Sequence, residues 1–456
     1  MSATGLSRRE LLALAVLAGA GIPFRLKAEE KPIRWLDAAV KAARWIRTTR
    51  VATPDGLLWL SGPELPEGMN ASPDLYTGTA GIVLFLAELA RATGDRSWLQ
   101  EAMYGADWLI AGLPEKLDPE QSQAGLYTGV PGIGLAIHRV AKASSEDKYR
   151  KGAERCLELV HAAAKPAGAG VEWDPGLDVI AGSAGTILYL LHMARELDRP
   201  ASKELALKAG MRLAELGIPE AGGQKWRFAN TPDAKRLMPN FSHGTAGIAY
   251  ALATLHLETG RQEPLDAALA GARYLQAVAN TVGAGGEGCL IFHHEPEPDG
   301  KDLYYLGWCH GPAGTVRLFY QLSKATKEDA WLGWVRRGTR SIVASGIPDR
   351  QTPGFWNNAG QCCGLAGVAD LFLRLHKAMG EGLDFARKVG EALLAKATPA
   401  GDGLKWVHAE HRVRPEYVYA QTGYMQGAAG IGMLLLHLDA VERGREWGFR
   451  LPDSPY

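Results

Sequence analysis

The chain has few cysteines, no excess of charge of either sign, and no long apolar run beyond its first thirty residues. Five cysteines in 456 residues is an odd count, which excludes a fully paired disulfide framework. Lys and Arg number 50, as do Asp and Glu, so the formal net charge is zero. That balance gives no broad attraction to nucleic acid or acidic lipid, and no nucleic-acid partner is expected. No later segment is long and apolar enough to span a membrane, so no stable membrane insertion is expected once a leader is removed. Glycine is abundant instead, with 55 residues, or about 12% against an average near 7%. The hydrophobic content of 46% supports a large core and argues against a disordered chain.

The first thirty residues read as an address. Ser-Arg-Arg-Glu-Leu-Leu at 7–12 precedes an apolar run from Ala13 to Ile22. That run of about ten residues is too short to cross ~30 Å of hydrocarbon. A basic start, a short apolar centre and Ala28 resemble a twin-arginine export signal. The expected organisation is therefore a signal peptide over 1–28, then a single domain over 29–456 in a soluble, exported, periplasmic protein. Leu26-Lys27-Ala28 lacks a small residue at its first position, and an uncleaved amphipathic leader is the alternative.

One pattern recurs seven times: Gly, two residues, Gly, then an apolar helix-like run. Its glycines are Gly78/Gly81, Gly129/Gly132, Gly182/Gly185, Gly244/Gly247, Gly311/Gly314, Gly364/Gly367 and Gly427/Gly430. The average step of about 58 residues leaves room for two helices per repeat. Runs such as Ile82–Leu89 and Ile248–Leu255 are apolar throughout and read as buried helices. Stretches between corners, such as Ser97–Ile110 and Tyr149–Ala164, are amphipathic at helical period and read as half-exposed. Seven such hairpins bury their apolar faces best as a closed ring. The predicted fold is all-α, an α,α-toroid of seven inner and seven outer helices; an open solenoid would normally use a shorter repeat and polar end caps. Free N–H groups at the inner-helix starts are expected to make one mouth of the ring favourable for anions and thiolates.

The corners differ in the chemical groups they carry. Asp178 precedes the third, His243 the fourth, Trp308-Cys309-His310 the fifth and Cys362-Cys363 the sixth. Tyr76 and Tyr127 stand at the first two, and Tyr424, Met425 and Gln426 at the seventh. Cys309 and Cys362 are 53 residues apart in two adjacent corners, with Cys363 next to the latter, and only ring closure brings them together. Three thiolates suit a zinc ion and leave a fourth tetrahedral position for substrate. A Cys362–Cys363 disulfide beside a free thiol, or three buried apolar cysteines, stays open at this point. Cys156 reads as a helix residue and Cys289 as part of a Gly-rich loop. His243 is a fourth ligand, an acid/base group or a loop hydrogen-bonder. His293-His294-Glu295 reads as solvated loop or mouth rim, and His408 and His411 as rim residues.

The seven Gly-x-x-Gly helix starts, Trp-Cys-His-Gly at 308–311 and Cys-Cys-Gly at 362–364 together resemble the LanC family of lanthionine synthetase cyclases. The resemblance spans roughly residues 35–440. It implies an α,α-toroid with one zinc at its mouth, which activates a cysteine thiol for conjugate addition to dehydroalanine or dehydrobutyrine. On that resemblance Cys309, Cys362 and Cys363 are the zinc ligands, the last in place of the more usual histidine. His243 is implied as the residue that protonates the enolate or assists the thiol, and Asp178 as its acidic partner. The family often has an arginine where Tyr305 stands here. The implied partner is a thiol-containing peptide or a small-molecule thiol, and we read the chain as a monomer. Two other classes compete: an exported zinc- or peptide-binding toroidal scaffold without cyclase activity, and a carbohydrate-active toroid using paired carboxylates such as Asp178, Glu172 and Glu295.

Overall fold

The computed structural model describes residues 35–65, 71–231, 237–283, 285–295 and 300–456; the leader expected over 1–28 lies outside them. Residues 35–456 form one compact unit. In chain order its helices are α1 (Trp35–Thr48), α2 (Thr79–Thr93), α3 (Arg96–Ala111), α4 (Val130–Ser144), α5 (Asp147–Ala163), α6 (Ser183–Glu196) and α7 (Pro200–Glu215). They continue as α8 (Thr245–Thr259), α9 (Gln262–Val278), α10 (Pro312–Thr326), α11 (Ala330–Ala344), α12 (Leu365–Met379), α13 (Leu383–Ala395) and α14 (Ala428–Glu442).

The even-numbered helices follow the seven glycine corners and are buried over most of their circumference, as the unbroken apolar run of α2 requires. The odd-numbered ones bury a single stripe; in α5 it is Tyr149, Gly152, Ala153, Cys156, Leu157 and Val160. Each even helix touches the next, and α14 touches α2, so the inner ring closes. Each outer helix packs on the inner helix just before it, except that α1 packs on α14. The expected seven inner and seven outer helices are present, but the seventh pair is assembled from opposite ends of this compact unit. That is the one arrangement in which a helix preceding the first corner completes the last repeat.

The sequence reading did not foresee six two-stranded antiparallel hairpins: β1–β2 (Arg50–Thr53, Gly56–Trp59), β3–β4 (Lys165–Ala167, Gly170–Glu172), β5–β6 (Ile218–Glu220, Gly223–Lys225), β7–β8 (Asn280–Val282, Gly288–Leu290), β9–β10 (Thr398–Ala400, Gly403–Lys405) and β11–β12 (Val407–Ala409, Val418–Ala420). The first five follow outer helices, and Cys289 lies in strand β8 rather than in a loop. After three of them a buried tryptophan reaches back thirteen residues to the last turn of its outer helix. The indole N–H groups of Trp173, Trp226 and Trp406 donate to the carbonyls of Val160, Leu213 and Leu393 at 2.7, 2.7 and 2.8 Å. Carbonyls of a helix's last turn have no intrahelical donor, and a buried indole satisfies one while filling the space beneath the hairpin.

The corners determine how closely the ring can draw in. A Cβ on Gly314 would sit 2.0 Å from the Trp308 carbonyl and 2.6 Å from Cβ of Phe241, a residue of the preceding corner. On Gly81 it would meet Tyr424 of the seventh corner at 2.6 Å, where the ring closes. The expectation of free N–H groups at these helix starts is overturned. Thr245 and Ala246 donate to the carbonyls of Met238 and Pro239, Leu365 and Ala366 to Asn358 and Ala359, and Ala428 and Ala429 to Gln421 and Thr422. Each corner thus caps its own helix with carbonyls seven residues upstream, and those donors are not available to a ligand.

Candidate functional site

Seven backbone hydrogen bonds link the corners into a closed belt. Tyr76 N donates to Tyr127 O (3.0 Å), Tyr127 N to Ile180 O (2.9 Å) and Val179 N to Ser242 O (3.2 Å). Ser242 N donates to Cys309 O (2.8 Å), Cys309 N to Cys362 O (3.1 Å), Cys362 N to Met425 O (2.9 Å) and Met425 N back to Tyr76 O (2.9 Å). Six of the seven corners enter the belt through the residue two places before their first glycine, and Ile180 holds that place at the third. Cys309 and Cys362 are therefore neighbours because their backbones are directly bonded, whatever the length of chain between them. Cys363, one place further on, turns toward the same point.

The sulfur atoms of Cys309, Cys362 and Cys363 all lie within 4.8 Å of one another. The Cys309–Cys363 separation is 3.3 Å and the Cys362–Cys363 separation 3.5 Å. All five cysteines are free thiols, so the vicinal disulfide is not formed. Tetrahedral zinc with bonds of about 2.3 Å spaces its sulfurs about 3.8 Å apart, a few tenths of an ångström from this arrangement. The donor set fits a zinc ion. Hydrogen bonds from Cys309 and Cys363 hold the Cys362 thiol well below its usual range, with help from Tyr76 and from the charge on His243. Burial pushes the Cys309 thiol well up, and its sulfur neighbours add to the shift. The Tyr76 hydroxyl is raised by burial and by the sulfur charges. Gln426 joins it, its Nε2 lying 3.3 Å from the Tyr76 hydroxyl and 4.0 Å from the Cys363 sulfur.

His243 and Asp178 meet as expected, Nδ1 to Oδ2 at 2.5 Å. Asp178 is buried and fixed by its own corner, its Oδ1 accepting from the backbone N–H of Ala181 (2.7 Å) and Gly182 (3.1 Å). With Nδ1 engaged by Asp178, Nε2 is the ring nitrogen left for another partner. Burial alone would lower the pKa of this imidazole, but the charge and hydrogen bond of Asp178 raise it above the ordinary value. The His243 ring stays about a third exposed and close enough to Cys362 to feel its charge.

An aromatic wall adjoins the sulfurs. His310 is buried, and its ring centroid lies 5.7 Å from that of His243 and 4.3 Å from that of His293. Tyr305 stacks obliquely on His293 at 4.5 Å and meets Trp356 edge-on at 5.3 Å. Burial and the charges of Cys309 and Cys363 raise the Tyr305 hydroxyl, while the guanidinium of Arg412 reaches it from hairpin β11–β12 and opposes the shift. His293 and His294 therefore belong to the mouth, but His294 is buried rather than solvated. His408 is also buried, so only His411 keeps the exposed rim position expected for both. The carboxylates considered as partners of Asp178 are committed elsewhere: Glu172 to Arg212 (3.1 Å) and Glu295 to Lys225 (3.1 Å). Tyr76 and Gln426 were undervalued in the sequence, although they occupy the same two corner places as Cys362 and Cys363. Arg412 and Trp356 gave no sequence signal, since they belong to no corner.

A family model described as lanthionine synthetase C-like protein matches residues 70–449. Among solved structures, nisin cyclase superposes with a TM-score of 0.62 at 16% identity, covering 90% of this chain and 95% of that one. An unsaturated glucuronyl hydrolase specific for heparin (TM-score 0.50, 12% identity, 90% and 97% covered) shares the fold. So does the GH76 α-mannanase BT2949 of Bacteroides thetaiotaomicron (TM-score 0.50, 11% identity, 90% and 95% covered). No curated protein matches the chain.

Proposed function

We propose that this chain, which belongs to the lanthionine synthetase C-like family, is a zinc-dependent cyclase that adds a thiol across the double bond of a dehydroamino acid. The observation that carries the reading is the convergence of three cysteine sulfurs beside the His243–Asp178 pair. Cys309, Cys362 and Cys363 would hold a zinc ion, and the chemistry it would supply there is the ionisation of a substrate thiol. Three thiolates carry one more negative charge than two thiolates and a histidine, which favours a nucleophilic, loosely held substrate sulfur.

The addition forms one C–S bond and leaves a carbanion or enolate that needs a proton at the adjacent carbon. His243 supplies it from Nε2, and Asp178 holds the ring by Nδ1 and stabilises its protonated form. Tyr305 and Arg412 give the mouth a hydroxyl and a positive charge suited to a substrate carbonyl. No helix among the described residues is long and apolar enough to cross a membrane. Export of the folded, metal-loaded protein through the twin-arginine-type leader is part of the reading.

The test is metal analysis of reduced protein, together with thioether formation from a dehydroalanine peptide and a thiol. About one zinc per chain is expected, and His243→Ala should keep it while losing ~10²–10⁴ in rate. Protein without zinc, or a variant as fast as the parent, would overturn the proposal. Tyr305 in the place of an arginine favours the scaffold reading, which requires zinc and peptide binding with no turnover.

A further inference from the structure

Two buried side-chain amides stand behind the sulfurs, Asn358 of the sixth corner and Gln426 of the seventh. Which end of such an amide is oxygen and which is nitrogen follows from the groups it faces. Two backbone groups decide this for Asn358. Its Oδ1 accepts from the Gly360 N–H at 2.8 Å, and its Nδ2 donates to the Ala409 carbonyl at 3.0 Å. Turned over, the amide would set hydrogen against hydrogen at Gly360 and oxygen against oxygen at Ala409. The Ala409 carbonyl belongs to strand β11, which is held there by the Trp356 indole (2.9 Å) and by the Ala409 N–H on the Asn357 carbonyl (2.9 Å).

Asn358 in turn decides Gln426. Nδ2 of Asn358 also donates to Gln426 Oε1 at 3.2 Å, so Gln426 Nε2 takes the other side, 3.3 Å from Tyr76 Oη and 4.0 Å from Cys363 Sγ. Its two hydrogens meet two acceptors. Because Tyr76 Oη receives one of them, its own O–H turns away from the amide and toward the Cys362 sulfur beside it. Gly360 leaves room for this arrangement: a Cβ there would lie 2.9 Å from Gln426 Cα and 3.0 Å from its Oε1. Every hydrogen bond in the series points its donor toward the sulfurs, and its direction is set by a carbonyl that no repeat supplies.

We propose that Asn358 and Gln426 are positioning residues for the thiol site: they hold an N–H on Cys363 and, through Tyr76, an O–H on Cys362, and so draw negative charge off a three-sulfur metal site. Three thiolates carry more charge than a divalent ion offsets. Each donor weakens the sulfur it touches as an electron source and fixes the direction of its lone pairs. A substrate sulfur is then held more firmly than three bare thiolates would allow. This rests on the zinc reading and adds to it the residues that regulate sulfur charge.

The test uses Gln426→Met, which keeps the side-chain length and loses the donors, and Tyr76→Phe, which loses only the hydroxyl. Zinc affinity is read by competition with a chromophoric chelator. Sulfur charge is read from the thiolate-to-metal charge-transfer band of the cobalt(II)-substituted chain. Gln426→Met should bind zinc about 10–100-fold more weakly and move the band to longer wavelength, and Tyr76→Phe should do the same to a smaller extent. In the double variant the two effects should fall short of adding, because Gln426 orients the Tyr76 hydroxyl. An unmoved band with unchanged affinity in both variants would overturn the proposal. So would a lowered thermal midpoint with an unmoved band, which is what loss of packing alone produces. A parent chain that takes up neither metal would sink the zinc reading, and the donors are then read on the reduced, metal-free chain by mass spectrometry after iodoacetamide labelling. There Cys363 should be alkylated about threefold more slowly in Gln426→Met than in the parent at neutral pH, since a thiolate without its donor is less populated. Equal rates would overturn the positioning role as well.

Discussion

The two ends of the ring are built from the same seven inner helices and treat their polar groups in opposite ways. At the mouth, where these helices begin, the corner backbone satisfies the helix N–H groups itself, as Thr245 to Met238 and Leu365 to Asn358 illustrate. Side chains there are released from capping, and cysteine, histidine and tyrosine occupy the freed places. At the far end, side chains are spent on structure. Arg91, Lys142, Arg195, Lys324 and Lys377 stand in the last turns of inner helices, where positive charge complements the helix dipole. The segment after α14 turns into the ring: Asp453 accepts from Arg317 (2.8 Å) and from the Trp308 indole (3.0 Å), and Pro452 from the Tyr250 hydroxyl (3.3 Å). Every buried carboxylate near this end has an arginine: Asp370 has Arg374 (2.6 Å), Glu88 has Arg91 (2.9 Å) and Asp439 has Arg443 (2.7 Å). Reactive groups gather where the backbone can close its own hydrogen bonds, and paired charges gather where it cannot.

The comparison breaks most visibly at the sulfurs. Cys362→Ala should drop zinc from about one per chain to near zero and cut thioether formation by more than about 100-fold, beyond what losing an outer partner costs. Since the belt is backbone, the thermal midpoint should fall little, and a variant that unfolds instead would show that the mouth is structural after all. Asp453→Ala, at the far end, should do the opposite. It leaves Arg317 buried without its nearest carboxylate and should cost about 3 kcal/mol in urea unfolding while zinc content stays at one. Loss of zinc at unchanged stability would erase the division between the ends.

Smaller effects sharpen it. Trp226→Phe removes the donor to the Leu213 carbonyl and some buried volume, and should cost about 2 kcal/mol by the same unfolding measurement, with activity unaffected. Asp174, in the loop before the third corner, is pushed up to about 6, chiefly by burial, with Asp178 and Glu172 adding to it against a hydrogen bond from Gly176. Because its folded pKa lies above the unfolded value, the ionised form costs stability above about pH 6. That cost is relieved as pH falls from about 6 toward 4. Asp174→Asn keeps an acceptor for Gly176 and should stabilise the protein by about 1 kcal/mol at pH 8 and by almost nothing at pH 4. Equal effects at both pH values would show that the carboxylate is not held against its preference.

The seven corners, the alternation of buried and half-buried helices, and the candidates Cys309, Cys362, Cys363, His243 and Asp178 were legible because each signal is local. Glycine pairs and helical periodicity repeat within a dozen residues, and reactive residues can be aligned on the glycines by counting. The same counting points to Tyr76 and Gln426 once the corner places are compared across repeats. The tryptophan that closes three outer helices was also legible, since a proline, a glycine and the tryptophan recur at fixed spacing in 166–173, 219–226 and 399–406. Arg412 beside Tyr305 was not, because a hairpin carries it to the mouth from outside any repeat.

By itself the sequence determined the number of helices, which of them are buried, and which corners carry sulfur, imidazole and carboxylate, since backbone preference and hydrophobic period act over a few residues. Only the tertiary structure decided that the N–H groups of the helix starts are already spent, that α1 completes the seventh pair, and that Asp453 reaches Trp308 across 145 residues. These depend on which distant segments share a hydrogen bond once the ring has closed. Closure is a property of all seven repeats together, and no single stretch of chain records it.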